Sequence, residues 1–207
     1  MKKLESSLTN MVLSLTLIAA VVTAMLAYMN QLTKGPIAEA NQKALNEALR
    51  QVLPEGATAA EPQEFEVNGA KYTFYPAIKG DENVGAAIES VTNGFGGDLK
   101  VLVGFDKEGN ILDYSIMETT ETPGLGSKAD TWFKKDGKGS IIGMNPGEKE
   151  LTVSKDGGNV DAITASTITS RAFLKAVNNA YAVFSSKTDG VSGATDLPNS
   201  ADVKTIN

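Results

Sequence analysis

The chain has 207 residues and a formal net charge of −6 at pH 7, enough for one ordinary domain plus an anchoring segment. It contains no cysteine and no histidine. That excludes thiolate metal sites, iron–sulfur clusters, disulfides, c-type haem attachment and Ser-His-Asp catalysis, and it removes the usual zinc ligands, so no metal site is expected. The acidic balance, with no basic stripe or RNA-type aromatic motif, argues against a nucleic-acid partner.

No charged residue occurs from Ser6 to Thr33, and the apolar run from Met11 to Met29 is long enough to cross a bilayer, which needs about 20 residues at ~1.5 Å each. Lys2 and Lys3 precede it, so the positive-inside rule places the N-terminus in the cytoplasm and the bulk of the chain outside. Tyr28 suits an interfacial anchor. A cleaved signal peptide is the alternative, but it has a shorter apolar region and a small-x-small cleavage site, whereas Ala24–Ala27 reads A-M-L-A. The reading is an uncleaved single-pass anchor in residues 1–34, a domain over 35–185, and a polar, flexible tail over 186–207.

Lys34-Gly35-Pro36 is read as the end of the membrane segment, with Pro36 in the first turn of a new helix. Ile37, Ala40, Ala44, Leu45, Ala48, Leu49, Val52 and Leu53 recur at helical spacing up to Pro54. Short β-type runs follow at Glu64–Val67, Lys71–Ala77, Val84–Thr92, Leu99–Phe105 and Ile111–Thr119. They are separated by the turn signals Asn68-Gly69, Gly80-Asp81 and Glu108-Gly109-Asn110. Thr120–Lys128 contains no regular run, Trp132-Phe133 begins a short helical piece, and Leu151–Val153 and Val160–Ile163 are the last predicted strands. A helix starts near Ile168 with Ser166 or Thr167 as N-cap and an apolar stripe of Phe173, Val177, Ala180, Tyr181 and Phe184. The fold class is therefore α+β: a mostly antiparallel sheet with flanking helices behind one transmembrane helix.

Three segments could carry chemistry. In DAITASTITS, Asp161 to Ser170, small residues and hydroxyls precede a helix N-terminus, whose free N–H groups and dipole favour a phosphate. An ordinary Ser/Thr-rich helix cap is the competing reading. In Glu118–Lys128, Pro123 and two glycines form a loop whose backbone can lie against a flat ring, with Leu125 over one face and Lys128 opposite an anion; a plain connecting loop has the same composition. Asn93-Gly-Phe-Gly-Gly-Asp98 permits close approach but lacks the context of a dinucleotide fold or P-loop. The form D-x-x-[ST]-[GA]-[AS]-T occurs twice, ending at Thr167 and at Thr195.

The segments FGGDLKVLVGFDKEGNI, ETPGLGSK and DAITASTITSRAF, in that order behind one membrane helix, resemble the FMN-binding domain family over most of Ile37 to Phe184. Within it the chain is most similar to the G subunits of Rnf-type ion-translocating ferredoxin:NAD oxidoreductases. The C subunits of sodium-pumping NADH:quinone reductases are the related alternative, and a non-redox tethered scaffold is the alternative outside the family. The resemblance implies an electron-carrying subunit rather than a stand-alone enzyme, with its anchor in the cytoplasmic membrane and its domain in the periplasm. It implies covalent FMN joined to Thr167 by a phosphoester bond, formed by a flavin transferase from FAD, and other subunits of the complex as partners. By position, Ala165 and Ser166 keep the site small and Thr164 and Thr169 solvate the phosphate. Glu121, Thr122, Pro123, Gly124, Leu125 and Gly126 line the ring, with Lys128 nearby. Two departures stand out: Ala-Ser replaces the usual Gly-Ala before the threonine, and Thr120 replaces a histidine that often precedes ETPGLG. Thr195 fits the usual spelling better, but it leads to the chain end rather than into a helix.

Overall fold

The structure is a computed structural model that describes residues 8–67, 70–189 and 204–205. Contacts divide the chain into two compact units, Met1–Ala44 and Leu45–Asn207. In the first unit, helix α1 begins at Leu8; it runs on to Val52. Its 45 residues give a length of about 67 Å at ~1.5 Å per residue. Met11, Val12, Leu13, Leu15, Leu17 and Ile18 are all exposed and point round the whole helix, so this part of α1 is apolar on every side. It is the one helix among the described residues long and apolar enough to cross a membrane.

The expected break at Lys34-Gly35-Pro36 does not occur, because Pro36 lies inside α1. A mid-helix proline removes one i→i−4 hydrogen bond and costs about 3 kcal/mol, yet the helix is continuous through Gly35-Pro36. The predicted second helix is therefore the continuation of the first. Its last turns belong with the second unit, where Ala48, Leu49, Val52 and Leu53 are buried against Tyr75, Ala77, Ala87 and Leu102.

The second unit is built on an antiparallel sheet. Its strands are β1 (Thr58–Ala59), β2 (Gln63–Val67), β3 (Ala70–Lys79), β4 (Glu82–Asn93), β5 (Asp98–Asp106), β6 (Ile111–Thr119) and β7 (Lys204–Thr205). The order is β6-β5-β4-β3-β2-β7, with β1 also pairing with β3. Period-two alternation sorts the side chains to two faces. Leu99, Val101, Val103 and Phe105 of β5 join Ile88 and Tyr114 on one face, and Leu102 with Ala87 lies on the other. Register shifts at Ala77/Ile78, Lys100/Val101 and Gly104/Phe105 curl the sheet.

The first face is covered by helix α3 (Thr167–Asp189) and by the segment from the short helix α2 (Ala129–Trp132) to Ile163. The predicted stripe on α3 is the buried one: Phe173 stacks on Phe133 at 4.4 Å and meets Tyr114 edge-on at 4.8 Å. Such aromatic pairs add about 0.5–1.5 kcal/mol each beyond their area. Burial holds the Tyr114 phenol above the ordinary tyrosine range. The helix continues through Ser186–Asp189, beyond the expected start of the tail at 186. The rest of that tail falls outside the described residues, apart from 204–205, as does the Asn68-Gly69 turn.

Leu151–Val153 and Val160–Ile163 do not form strands. They share one parallel bridge, Val153 to Val160. A single 3₁₀ turn, Ser154–Asp156, and two glycines reverse the chain between them. The Thr152 carbonyl then takes the N–H groups of both Asn159 and Val160, which leaves no length for a ladder. The apolar residues of this pair are buried nonetheless. Thr120–Lys128 likewise ends in a 3₁₀ turn, Gly126–Lys128.

Gly104 marks where the end of α1 meets the sheet: a Cβ there would lie 1.9 Å from the Val52 carbonyl oxygen and 3.0 Å from the Val52 Cβ. Gly104→Ala is expected to destabilise the sheet unit by about 1–3 kcal/mol. Urea unfolding followed by Trp132 fluorescence measures this, and Gly35→Ala, where an added methyl meets nothing within 4 Å, should leave the transition in place.

Candidate functional site

Strands β4 and β6 flank β5 and both run antiparallel to it, so their C-terminal ends lie at the same end of the sheet. Leu99 is paired with both Thr92 and Thr119. The register therefore brings the Gly-rich turn after β4 beside the loop after β6. The Thr92 hydroxyl donates to the Ala172 carbonyl at 2.9 Å, which fixes the first turns of α3 over the same end.

Glu121 joins these three segments. It is 7% exposed. Its Oε1 accepts the Phe95 N–H at 2.7 Å, and its Oε2 accepts the Thr169 hydroxyl at 2.9 Å. The glycines around it follow from that carboxylate. A Cβ at Gly94 would sit 2.2 Å from Oε1, and one at Gly126 would sit 2.4 Å from Oε2. At Gly96 a Cβ would meet the Thr120 carbonyl oxygen at 2.2 Å.

The segment DAITAST forms the approach to α3. Asp161 is held at both ends: its carboxylate accepts the Ser154 hydroxyl at 2.9 Å, and its carbonyl accepts the Trp132 indole N–H at 2.8 Å. The Ser166 N–H bonds to the Ile163 carbonyl, closing a tight turn in which Ala165 adopts φ 63°. Ser166 is the N-cap position by its backbone, since its carbonyl accepts the Ser170 N–H at 3.0 Å. The buried Ser170 hydroxyl donates to that same carbonyl and accepts the Ile163 N–H. Thr167, half-buried, is the first residue of the helix.

A cation lies beside it: Lys155 Nζ donates to Thr167 Oγ1 at 3.4 Å. Its turn is held to α3 by a two-point pair from Arg171 to Asp156, at 2.7 and 2.8 Å. The Arg171 hydrogen bond holds the Asp156 carboxyl below its ordinary value. The pair therefore supports the fold above the usual aspartate range and loses that support as pH falls through the lowered value. Both partners are largely in water, so the contribution is small.

These elements surround a cleft of about 330 Å³ lined by Phe95, Glu121, Thr122, Leu125, Gly126, Ala165, Ser166, Thr167, Ile168 and Thr169. Eight of the residues expected at the site line it. Thr164, Pro123, Gly124 and Lys128 are exposed and are not part of the lining. Two of the eight face differently from expectation. Thr169 is 1% exposed and donates to Glu121 rather than to the cleft mouth, and Glu121 binds backbone and hydroxyl instead of presenting a free edge. Phe95, Ile168 and Lys155 join the site without having been expected there. The signal for Phe95 is present in the sequence, as the one side chain among three glycines; Lys155 has none, because only the Ser154–Asp156 turn brings it to Thr167.

The residues present suit a phosphorylated ring compound. A helix N-terminus, the Thr167 hydroxyl and Lys155 beside it suit the phosphate. The apolar rim and the glycine backbone suit a flat ring. Among the described residues no cluster of carboxylates could hold a metal ion. The second copy of the motif, ending at Thr195, lies outside the described residues.

Comparison with known proteins agrees with this arrangement. The sequence model of the FMN-binding domain matches residues 94–182, which contain every residue lining the cleft, and that of the RnfG N-terminal region matches residues 1–52. Similar proteins include the G subunits of the ion-translocating oxidoreductase complexes of three bacteria. That of Yersinia pestis is 38% identical, over 81% of this chain and 86% of the relative. That of Vibrio parahaemolyticus is 35% identical, over 81% and 84%. That of Shewanella piezotolerans is 32% identical, over 83% and 87%.

Three substitutions test the architecture of the site. Glu121→Ala leaves the Phe95 N–H and the buried Thr169 hydroxyl without their acceptor, and it should cost about 1–3 kcal/mol in chemical unfolding. Ala165→Gly should do the reverse. It relieves a left-handed conformation that costs a side chain about 1 kcal/mol, offset in part by the added freedom of the unfolded chain. The expected result is unchanged or slightly raised stability, whereas Ala165→Val should lower it.

Proposed function

The chain belongs to the family of G subunits of ion-translocating oxidoreductase complexes, and from that premise we propose that it is the FMN-bearing electron carrier of such a complex, with the flavin held covalently at Thr167. The observation that carries the reading is the position of Thr167. Thr167 lines the cleft at the first turn of α3, and its hydroxyl is within reach of Lys155, on a segment with the form D-x-x-[ST]-[GA]-[AS]-T.

Attachment is a phosphoryl transfer made by a separate flavin transferase. The Thr167 hydroxyl loses its proton, a bond forms from Oγ to the phosphorus on the FMN side of FAD, and AMP leaves. The chain's own part is to present the hydroxyl. Ala165 and Ser166 put little bulk in front of it, and the α3 N-terminus and Lys155 meet the negative charge of the phosphodiester. Thr164 and Thr122, both exposed, would meet phosphate or solvent. Pro123 and Gly124 shape the loop, and Lys128 adds positive charge outside the lining.

Bound FMN supplies the ability to take up electrons and pass them on; the protein supplies position and surroundings. No nucleophile or base is required, in keeping with a chain that lacks cysteine and histidine. The uncharged run from Ser6 to Thr33 serves as the anchor, with residues 1–34 forming the cytoplasmic end and membrane span and the domain from residue 35 lying in the periplasm. Other subunits of the complex are the electron partners. Ion movement belongs to those subunits, since this span offers no charged side chain.

Intact mass tests the attachment. The full chain made together with a flavin transferase should carry one FMN increment that withstands acid denaturation. The increment should disappear in Thr167→Ala and persist in Thr195→Ala. Its loss in Thr195→Ala alone would move the attachment to the second copy of the motif.

A further inference from the structure

Around the cleft, three large apolar side chains remain in water: Phe95 at 67% exposure, Ile168 at 52% and Leu125 at 41%. They come from the three separate segments that Glu121 draws together, and all three line the cleft that contains Thr167. In the described residues from Leu45 onward, no other large hydrophobic side chain is comparably exposed. Scattered apolar residues need no explanation on a protein surface, but a cluster confined to one cleft does.

Phe95 is the most informative of them. It is the one side chain in Gly94-Phe-Gly-Gly97. Its backbone is fixed by the bond from its N–H to the buried Glu121 carboxylate. The turn is closed by the Gly94 N–H bonding to the Gly97 carbonyl at 2.7 Å. Gly96 and Gly97 lie flat on Thr120, where a Cβ would come within 2.2 Å of its carbonyl oxygen and 2.6 Å of its hydroxyl. The turn is thus held rigidly while the phenyl ring it carries stays out of the core. A position so well fixed, with its side chain left outside, presents that ring to something else.

We propose that Phe95 is the ring-contacting residue of the site: its phenyl group packs against the isoalloxazine of the flavin attached at Thr167, with Leu125 and Ile168 bounding the same apolar slot. This rests on the attachment proposed above. The occupant is argued from the shared lining, since Thr167 and Phe95 face one cleft of about 330 Å³, the scale of a flat polycyclic ring rather than of a protein side. Planar rings of this kind prefer offset-stacked or edge-on contact with a phenyl group.

The test uses the full chain, made with a flavin transferase and purified in detergent, with flavin at Thr167 first established by intact mass. Indole quenches flavin emission strongly on contact, whereas phenylalanine does not. Phe95→Trp should therefore lower the emission several-fold relative to wild type, at unchanged FMN stoichiometry. Phe95→Ala should raise the efficiency of iodide quenching several-fold by uncovering the ring. Because the Phe95 side chain is exposed, neither variant disturbs the core, and far-UV circular dichroism should coincide with wild type. A modified Thr167 whose emission is the same in Phe95→Trp and wild type would overturn the ring contact while leaving the attachment standing. The slot would then be free to receive a partner protein instead. An unmodified Thr167 would overturn both.

Discussion

The Glu121 carboxylate is the contact on which the site depends. Its two oxygens each take one donor, from the backbone of the turn after β4 and from the first turn of α3, while its own chain belongs to the loop after β6. A buried carboxyl group needs hydrogen-bond partners for its oxygens, and here that requirement fixes three segments far apart in sequence. The sheet supports the arrangement, because β4 and β6 deliver their loops to one end of β5 and the Thr92 hydroxyl ties β4 to α3. With the same residues on another register, the carboxylate would face either the core or water, and the cleft would not exist.

That single contact accounts for much of the motif chemistry. The glycines at 94 and 126 are needed because a side chain at either would collide with a carboxylate oxygen. The small residue at position 165 is needed for a different reason: the turn before α3 requires positive φ there. Glycine, which the second copy of the motif carries at the equivalent Gly193, adopts that conformation without cost, whereas this segment holds an alanine in it. Ala165-Ser166 therefore holds strain in the turn that a glycine at 165 would not, and Thr167 still lines the cleft.

Much of this is legible in the sequence. Alternation of apolar residues and the Gly80-Asp81 and Glu108-Gly109-Asn110 turns locate β3 to β6 within a few residues, and the i, i+3, i+4 stripe of α3 is the buried one. The departures have physical causes. Pro36 has the composition of a helix start, yet it removes only one hydrogen bond from a helix 45 residues long. Leu151–Val153 and Val160–Ile163 read as strands because burial and strand-forming residues coincide there, but they lie parallel, and the connection between them is too short for the crossover a parallel ladder needs. At the site, the sequence reveals residue types but not their orientations. Thr169 and Glu121 satisfy each other inside the protein, a pairing across 48 positions that no local pattern reveals. Lys155 reaches Thr167 only because Arg171 and Asp156 fix its turn.

The shape of the cleft bears on why a covalent link would be used at all. Binding sites that hold small molecules by contact alone enclose most of the ligand surface in volumes of roughly 300–1,000 Å³. This cleft, at about 330 Å³, is at the small end of that range, and its apolar rim stands in water. Such a site gives orientation but little enclosure. A phosphoester at Thr167 would supply what enclosure does not, by converting each rebinding of the ring into an intramolecular event. The openness is then compatible with the proposed role, because a ring that trades electrons with neighbouring subunits must keep an edge within their reach. On this argument the shallow cleft and the tether are complementary. Deepening the cleft would strengthen contact at the expense of access, whereas the tether holds the cofactor without closing the site.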